Sequence, residues 1–207
     1  MIGALFAASL SIAAPADGAS VPPGDISITL SARGAPAGAH AHVLLDRGPA
    51  LEAGLGSPLV LKAVAAGPHF VRAVLCGKDH VSVKQGTAFA LSRFWVGPRA
   101  KDEEFALSAE QRYWPDPSKP MLTLVLPTGA DPEAPLLDVF VKGADLSRRG
   151  YKVRVVLDRR ELPLLTEEKP VRLRAKAGKH RLTVDLLDKR GTKVQPQDRT
   201  DRMFIAR

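Results

Sequence analysis

The chain has 207 residues, of which 25% are charged and 45% hydrophobic, and this composition excludes a disordered or fibrous protein. It contains no run of about 18 apolar residues, so we expect no transmembrane span. Its single cysteine, Cys76, excludes an intrachain disulfide. The length leaves room for two small domains of roughly 80–90 residues each.

The first 20 residues resemble an export signal. An apolar stretch over residues 2–14 is followed by small residues and a proline, which predicts a signal peptide over residues 1–20. The first basic residue is Arg33, so the segment lacks a basic start and is alternatively a hydrophobic first strand. The signal interpretation predicts a periplasmic or secreted protein.

The rest of the chain contains an internal sequence repeat. Residues 41–47 (AHVLLDR) align with residues 153–159 (VRVVLDR), and residues 65–75 align with the segment that begins at Lys176. Residues 94–96 then fall opposite residues 203–205. Recurring blocks with small changes in spacing predict one folding unit used twice.

The hydrophobic period is two, which is typical of strands. Val153, Val155 and Leu157 alternate with Lys152 and Arg154, so the strand has one apolar and one polar face. Turn signals with glycine separate several such segments. We therefore predict an all-β protein: two tandem immunoglobulin-like antiparallel β-sandwich domains.

We place the first domain at residues 23–97, a linker at residues 98–119 and the second domain at residues 120–207. The linker is rich in proline. The sequence of this linker also predicts a short helix over residues 102–112, with Phe105 as its anchor.

The order of the motifs resembles that of a family of uncharacterised bacterial secreted and envelope proteins with two tandem immunoglobulin-like domains. The matching segments include HAHVLLD (residues 40–46), GYKVRVVLD (residues 150–158) and AGKHRLTVDLLDKRG (residues 177–191). The resemblance covers most of residues 25–207. It implies the sandwich fold and export; some members are labelled phosphopeptide-binding, and no catalytic residue is implied.

Four of the five histidines lie in the first repeat. His40 and His42 are two apart on a strand and share a face, so with His80, or alternatively His69, they are candidates for a three-imidazole copper or zinc site. The alternative is a plain strand face without metal, and we expect no cofactor. His69 has a counterpart in His180, which predicts a structural hydrogen bond across a turn.

Most of the positive charge lies in the second repeat, where residues 121–207 hold 19 Lys and Arg against 12 Asp and Glu. We expect Arg172, Arg174 and Lys176 to project from one strand face. A candidate anion or phosphopeptide site adds Lys152, Arg154 and Arg181 to these three. The alternative is a solvated sheet face. Interleaved aromatic residues are absent, so we expect no nucleic-acid partner.

No common catalytic motif occurs, whether GxSxG, a P-loop, GxGxxG, HExxH or CxxC. We therefore predict that the protein is not an enzyme. The sequence favours an exported binding or structural module of the cell envelope, with a protein or an acidic envelope polymer as its partner. The oligomeric state stays open.

Overall fold

The structure is a computed structural model that describes residues 7–127, 135–195 and 199–206. Most of these residues form β-strands, and they divide into two compact units. The first unit comprises residues 7–46 and 51–114, and the second comprises residues 47–50 with the described residues from 115 onwards. Residues 1–6 of the predicted export signal lie outside the described residues.

The first unit contains two sheets. One has the strand order β1-β3-β6, and the other has the order β2-β8-β7-β4-β5. Neighbouring strands are antiparallel except for β2 and β8, which are parallel. The strands are β1 (Ser9–Ala14), β2 (Ser20–Val21), β3 (Gly24–Arg33), β4 (His40–Leu45), β5 (Leu51–Ala53), β6 (Leu59–Val64), β7 (Gly67–Cys76) and β8 (Phe89–Val96).

The second unit repeats this arrangement. One sheet has the order β13-β10-β9, and the other has the order β12-β11-β14-β15. The strands are β9 (Met121–Leu126), β10 (Leu136–Lys142), β11 (Lys152–Leu157), β12 (Arg160–Glu161), β13 (Val171–Arg172), β14 (Gly178–Leu187) and β15 (Thr200–Ala206). Two tandem immunoglobulin-like β-sandwiches are therefore confirmed.

Each sandwich has its own core, formed by the alternate residues that its two sheets direct inwards. Val43 and Phe94 are fully buried in the first core, and Val155 and Phe204 are buried at the corresponding places in the second. The alternation of apolar and polar residues along the strands thus produces a separate apolar core in each sandwich.

Residues 9–21 belong to the first sandwich. Strand β1 pairs with β3, and Ala8 and Leu10 are buried in the core. The hydroxyl of Ser92 donates to the Pro15 carbonyl at 2.6 Å, and Arg93 Nη2 lies 2.6 Å from Asp17 Oδ2. The structure therefore places β1 and β2 in the first sandwich, as the first-strand alternative expects. The signal peptide over residues 1–20 and the domain start at residue 23 stay predictions.

The predicted linker is largely a helix of the first unit. Helix α1 spans Glu103–Tyr113, and the Asp102 carboxylate caps it by accepting from the Phe105 amide at 2.9 Å. Glu110 on this helix accepts from the Trp95 indole at 2.9 Å, which fixes α1 to β8. Phe105 is 63% exposed and Ala106 is buried, so Phe105 is not the anchor. None of the helices in the described ranges has the length and hydrophobicity needed to span a bilayer.

A hydrogen-bonded clasp joins the end of β4 to the start of β7. Nδ1 of His69 lies 2.8 Å from Oδ2 of Asp46, and the Phe70 amide donates to Oδ1 of Asp46 at 3.0 Å. Nε2 of His69 lies 2.9 Å from the Ala65 carbonyl oxygen. Both ring nitrogens therefore face oxygen acceptors, an arrangement satisfied by the doubly protonated imidazolium.

The second sandwich contains the same clasp between β11 and β14. Nδ1 of His180 lies 2.5 Å from Oδ2 of Asp158, and the Arg181 amide donates to Oδ1 of Asp158 at 2.9 Å. Nε2 of His180 lies 2.6 Å from the Lys176 carbonyl oxygen. The predicted structural role of the repeated histidine is confirmed.

The clasps shift the protonation equilibria of their members. Hydrogen bonding to Asp46 raises the pKa of His69, and hydrogen bonding to Asp158 raises the pKa of His180. In return, the His180 hydrogen bond lowers the pKa of Asp158. The histidine contribution to stability is therefore complete below pH 6.5 and is lost as the pH rises through the raised values. The Asp158 contribution is present above pH 3.8 and is lost as the pH falls through its lowered value.

We expect the free energy of unfolding to fall as the pH rises above 6.5, by at most about 1 kcal/mol for each clasp, because both carboxylates are partly exposed. Urea unfolding at pH 6 to 9, followed by far-UV circular dichroism, measures this slope. The double variant His69→Asn/His180→Asn should lack it. Burial lowers the pKa of His40, so the effect of His40 on stability has the opposite sign: its contribution lowers the free energy of unfolding as the pH falls below 6.5. An unchanged slope in the double variant would contradict the clasp assignment.

Candidate metal centre

Strand β4 directs two histidines to one face of the first sandwich. Ala41 and Val43 point into the core, so His40 and His42 point away from it. They are nevertheless only 8% and 1% exposed. The two imidazoles therefore do not lie on a solvated strand face.

His80 approaches the same place from the turn after β7. The Gly77 amide donates to the Val81 carbonyl at 2.9 Å, and the His80 amide donates to the Gly77 carbonyl at 3.0 Å. His80 has a φ of 62°, in the left-handed region, which non-glycine residues adopt at a cost. A strained, hydrogen-bonded turn thus holds the His80 imidazole against β4.

The structure brings together the three histidines that the sequence singled out. A donor atom from each of the three rings lies within 4.8 Å of the other two. Nε2 of His42 is 3.4 Å from Nδ1 of His80, and the His40 ring centroid is 4.6 Å from that of His80. Three imidazoles at this separation form a donor set of the kind that binds zinc and copper.

His40 contributes a buried lone pair to the group. Burial lowers the pKa of His40, against the opposing effects of the Glu52 charge and a hydrogen bond to the Gly38 backbone. Nε2 of His40 is buried and has no hydrogen-bond partner within the described ranges, so it is available to a ligand at this place.

Glu52 lies beside the histidines and was missed at the level of sequence. It pairs directly with His42 across β4 and β5, so the two side chains share a face. Its Oε2 is 4.0 Å from Nδ1 of His80. The short strand β5 carries little sequence signal, and only the pairing of the two strands places this carboxylate at the cluster.

The residues of the candidate anion site lie on two different sheets of the second sandwich. Arg172 lies in β13 of one sheet, whereas Lys152 and Arg154 lie in β11 of the other sheet. Arg174 and Lys176 follow the end of β13 and are exposed. The expectation of one common basic face is corrected, because alternation assigns a side chain to a face of its strand but does not assign the strand to a sheet.

Several of the basic groups also have partners. Nη2 of Arg154 lies 2.5 Å from Oδ2 of Asp185, and Nη2 of Arg181 lies 3.5 Å from Oδ1 of Asp201. The Lys152 ammonium donates to the Gly150 carbonyl at 3.1 Å. The two carboxylates reduce the positive charge that Arg154 and Arg181 present to an anion.

No family model matches the chain, and no curated protein matches its sequence. Among solved structures, the fibronectin(III)-like modules of Clostridium thermocellum CbhA are similar over 96% of this chain and 94% of theirs, with 14% identity and a TM-score of 0.35. Bacteroides ovatus SGBP-B, solved with a mixed-linkage heptasaccharide, is similar over 96% of this chain and 70% of its own, with 12% identity and a TM-score of 0.31. The central fibronectin-III array of RIM-binding protein is similar over 89% of this chain and 64% of its own, with 9% identity and a TM-score of 0.27. Similarities at this level carry no argument about a ligand or a partner.

Proposed function

We propose that the protein is a non-enzymatic binding module of the bacterial cell envelope whose first domain binds a divalent transition-metal ion through His40, His42 and His80. The main support is the buried Nε2 of His40, which has no hydrogen-bond partner within the described ranges and lies beside two further imidazoles. A buried nitrogen without a partner is costly, and a bound cation would remove that cost.

The spacing of the donor atoms fits a metal ion. Zinc–nitrogen bonds of about 2.0–2.1 Å in a tetrahedral site separate two ligand nitrogens by roughly 3.3 Å. The distance of 3.4 Å between Nε2 of His42 and Nδ1 of His80 is close to this value. The remaining separations are at most 4.8 Å, so the imidazoles would have to move closer together around an ion.

Two further parts of the proposal are supported by the sequence. The resemblance of the ordered motifs to bacterial secreted and envelope proteins supports a periplasmic or secreted location. The absence of catalytic motifs from the sequence supports a binding role over an enzymatic one. Neither observation identifies a macromolecular partner.

Titration calorimetry of chelator-treated protein with Zn²⁺ tests the proposal. We expect one ion for each chain. His80→Asn removes an imidazole while asparagine tolerates the left-handed backbone at this position, so the fold should persist. We expect this variant to bind Zn²⁺ about 100-fold more weakly or worse, because loss of a ligand should cost at least as much as loss of a second-shell group.

The matched control is His69→Asn, which removes another histidine of the same domain but leaves the cluster intact. Its affinity for Zn²⁺ should stay within about twofold of that of the wild-type protein, while circular dichroism verifies that both variants fold. Absence of stoichiometric uptake by the wild-type protein, or equal affinity in His80→Asn, would refute the metal site.

A further inference from the structure

Three histidines leave a four-coordinate metal ion with one free position. Structural zinc sites are closed by a fourth protein ligand, whereas catalytic sites keep that position open for water or substrate. The group nearest to this position therefore decides which kind of site the cluster is.

Glu52 is placed to close the site. The pairing of His42 with Glu52 sets both side chains on the same face of the β4–β5 hairpin. Oε2 of Glu52 lies 4.0 Å from Nδ1 of His80, which is itself 3.4 Å from Nε2 of His42.

The chemistry of a carboxylate limits the metal. Carboxylate and imidazole together suit divalent ions, whereas monovalent copper prefers soft sulfur ligands. The donor groups that lie within 4.8 Å of one another are the three histidines, so neither Glu52 nor the buried Cys76 is among them, and Glu52 has to rotate to reach a bound ion. A donor set of three nitrogens and one carboxylate oxygen favours Zn²⁺ or Cu²⁺ over Cu⁺.

We infer that Glu52 is the fourth ligand of the centre and selects a divalent ion, an inference that rests on the proposed metal-binding function. Glu52 is exposed in its outer part, with 62% of its side chain accessible. This exposure leaves the carboxylate free to rotate towards an ion held by the three imidazoles. Binding then joins β4, β5 and the turn after β7 through one closed site.

Two substitutions of Glu52 separate ligation from a general electrostatic effect. Glu52→Gln removes the charge at constant size, and Glu52→Asp keeps the charge but withdraws it by one methylene, about 1.5 Å. We expect both variants to bind Zn²⁺ at least about tenfold more weakly than the wild-type protein. We expect their Cu⁺ affinity, measured anaerobically against a chromophoric chelator, to stay within about twofold.

The matched control is Glu161→Gln, which makes the same change on the short strand β12 of the second sandwich. It should leave both affinities unchanged. Wild-type Zn²⁺ binding with unaltered affinity in Glu52→Gln would overturn the fourth-ligand inference and leave the three-histidine site standing. Full affinity in Glu52→Asp, or equal losses for Zn²⁺ and Cu⁺, would overturn it as well. Failure of the wild-type protein to bind Zn²⁺ would overturn the proposed function itself.

Discussion

Phe94→Ala is expected to lower the free energy of unfolding of the first sandwich by about 3–5 kcal/mol. Phe94 is fully buried in β8, within the core between the two sheets. Alanine would leave a cavity there, and a close-packed core relaxes only partly around one. Small domains have a total stability of about 5–15 kcal/mol, so this variant should be close to unfolding. Urea denaturation followed by tryptophan fluorescence measures the loss, because Trp95 and Trp114 both lie in the first unit.

The matched control makes the same substitution at an exposed position of the same unit. Phe105 lies on α1 and is 63% exposed, so Phe105→Ala should change the free energy of unfolding by less than about 0.5 kcal/mol. Similar losses in the two variants would contradict the difference in burial on which the prediction rests.

The fold could be predicted because the repeat and the period of two survive in strands with one apolar face. Strand β11, with alternating buried and half-buried residues, shows this pattern most clearly. The pattern fails in β4 and in most of β7, where consecutive residues are buried. Alternation cannot identify the outer face of a strand that is buried on both faces.

One element of the internal alignment was shifted by a residue. The sequence places Phe94 opposite Met203, because both segments there are simply apolar. In the structure His69 pairs with Phe94 and His180 pairs with Phe204, so the two phenylalanines are equivalent. A shift of one residue reverses the faces of a strand, and Met203 is accordingly exposed.

The candidate metal centre could be predicted in part. The spacing of His40 and His42 places them on one face, and His80 was added on composition alone. Glu52 could not be found, since its position depends on the pairing of β4 with β5. The placement of the basic residues could not be found for a related reason: the strands that carry Arg154 and Arg172 belong to different sheets.

Arg154→Ala is expected to lower the stability of the second sandwich by about 2–4 kcal/mol. The Asp185 side chain is only 2% exposed, and its Oδ2 lies 2.5 Å from Nη2 of Arg154. Loss of the guanidinium leaves a buried carboxylate with the Lys193 ammonium, 3.2 Å from Oδ1, as its remaining cationic neighbour among the side chains that the structure describes. That neighbour, and the partial exposure of Arg154, keep the expected cost at the lower end for a broken buried pair. Urea unfolding followed by far-UV circular dichroism measures the change.

The first sandwich shows how the same position is filled without an ion pair. Arg154 pairs with Asp185 across β11 and β14, and the corresponding pair across β4 and β7 is His42 with Val74. If Arg154 and Asp185 are both replaced by apolar residues, no buried carboxylate is left without its partner. We expect Arg154→Leu/Asp185→Val to cost less than about 1 kcal/mol, because well-packed apolar residues often replace a buried pair without loss.

A double-mutant cycle of the wild-type protein, Arg154→Leu, Asp185→Val and the double variant Arg154→Leu/Asp185→Val measures the coupling of the two side chains directly. A coupling well above 1 kcal/mol would show that the second sandwich holds Arg154 as the counter-ion of a buried acid. An exposed pair would instead give less than about 1 kcal/mol, with additive losses. Additive losses, or a double variant as unstable as Arg154→Ala, would contradict the buried pair.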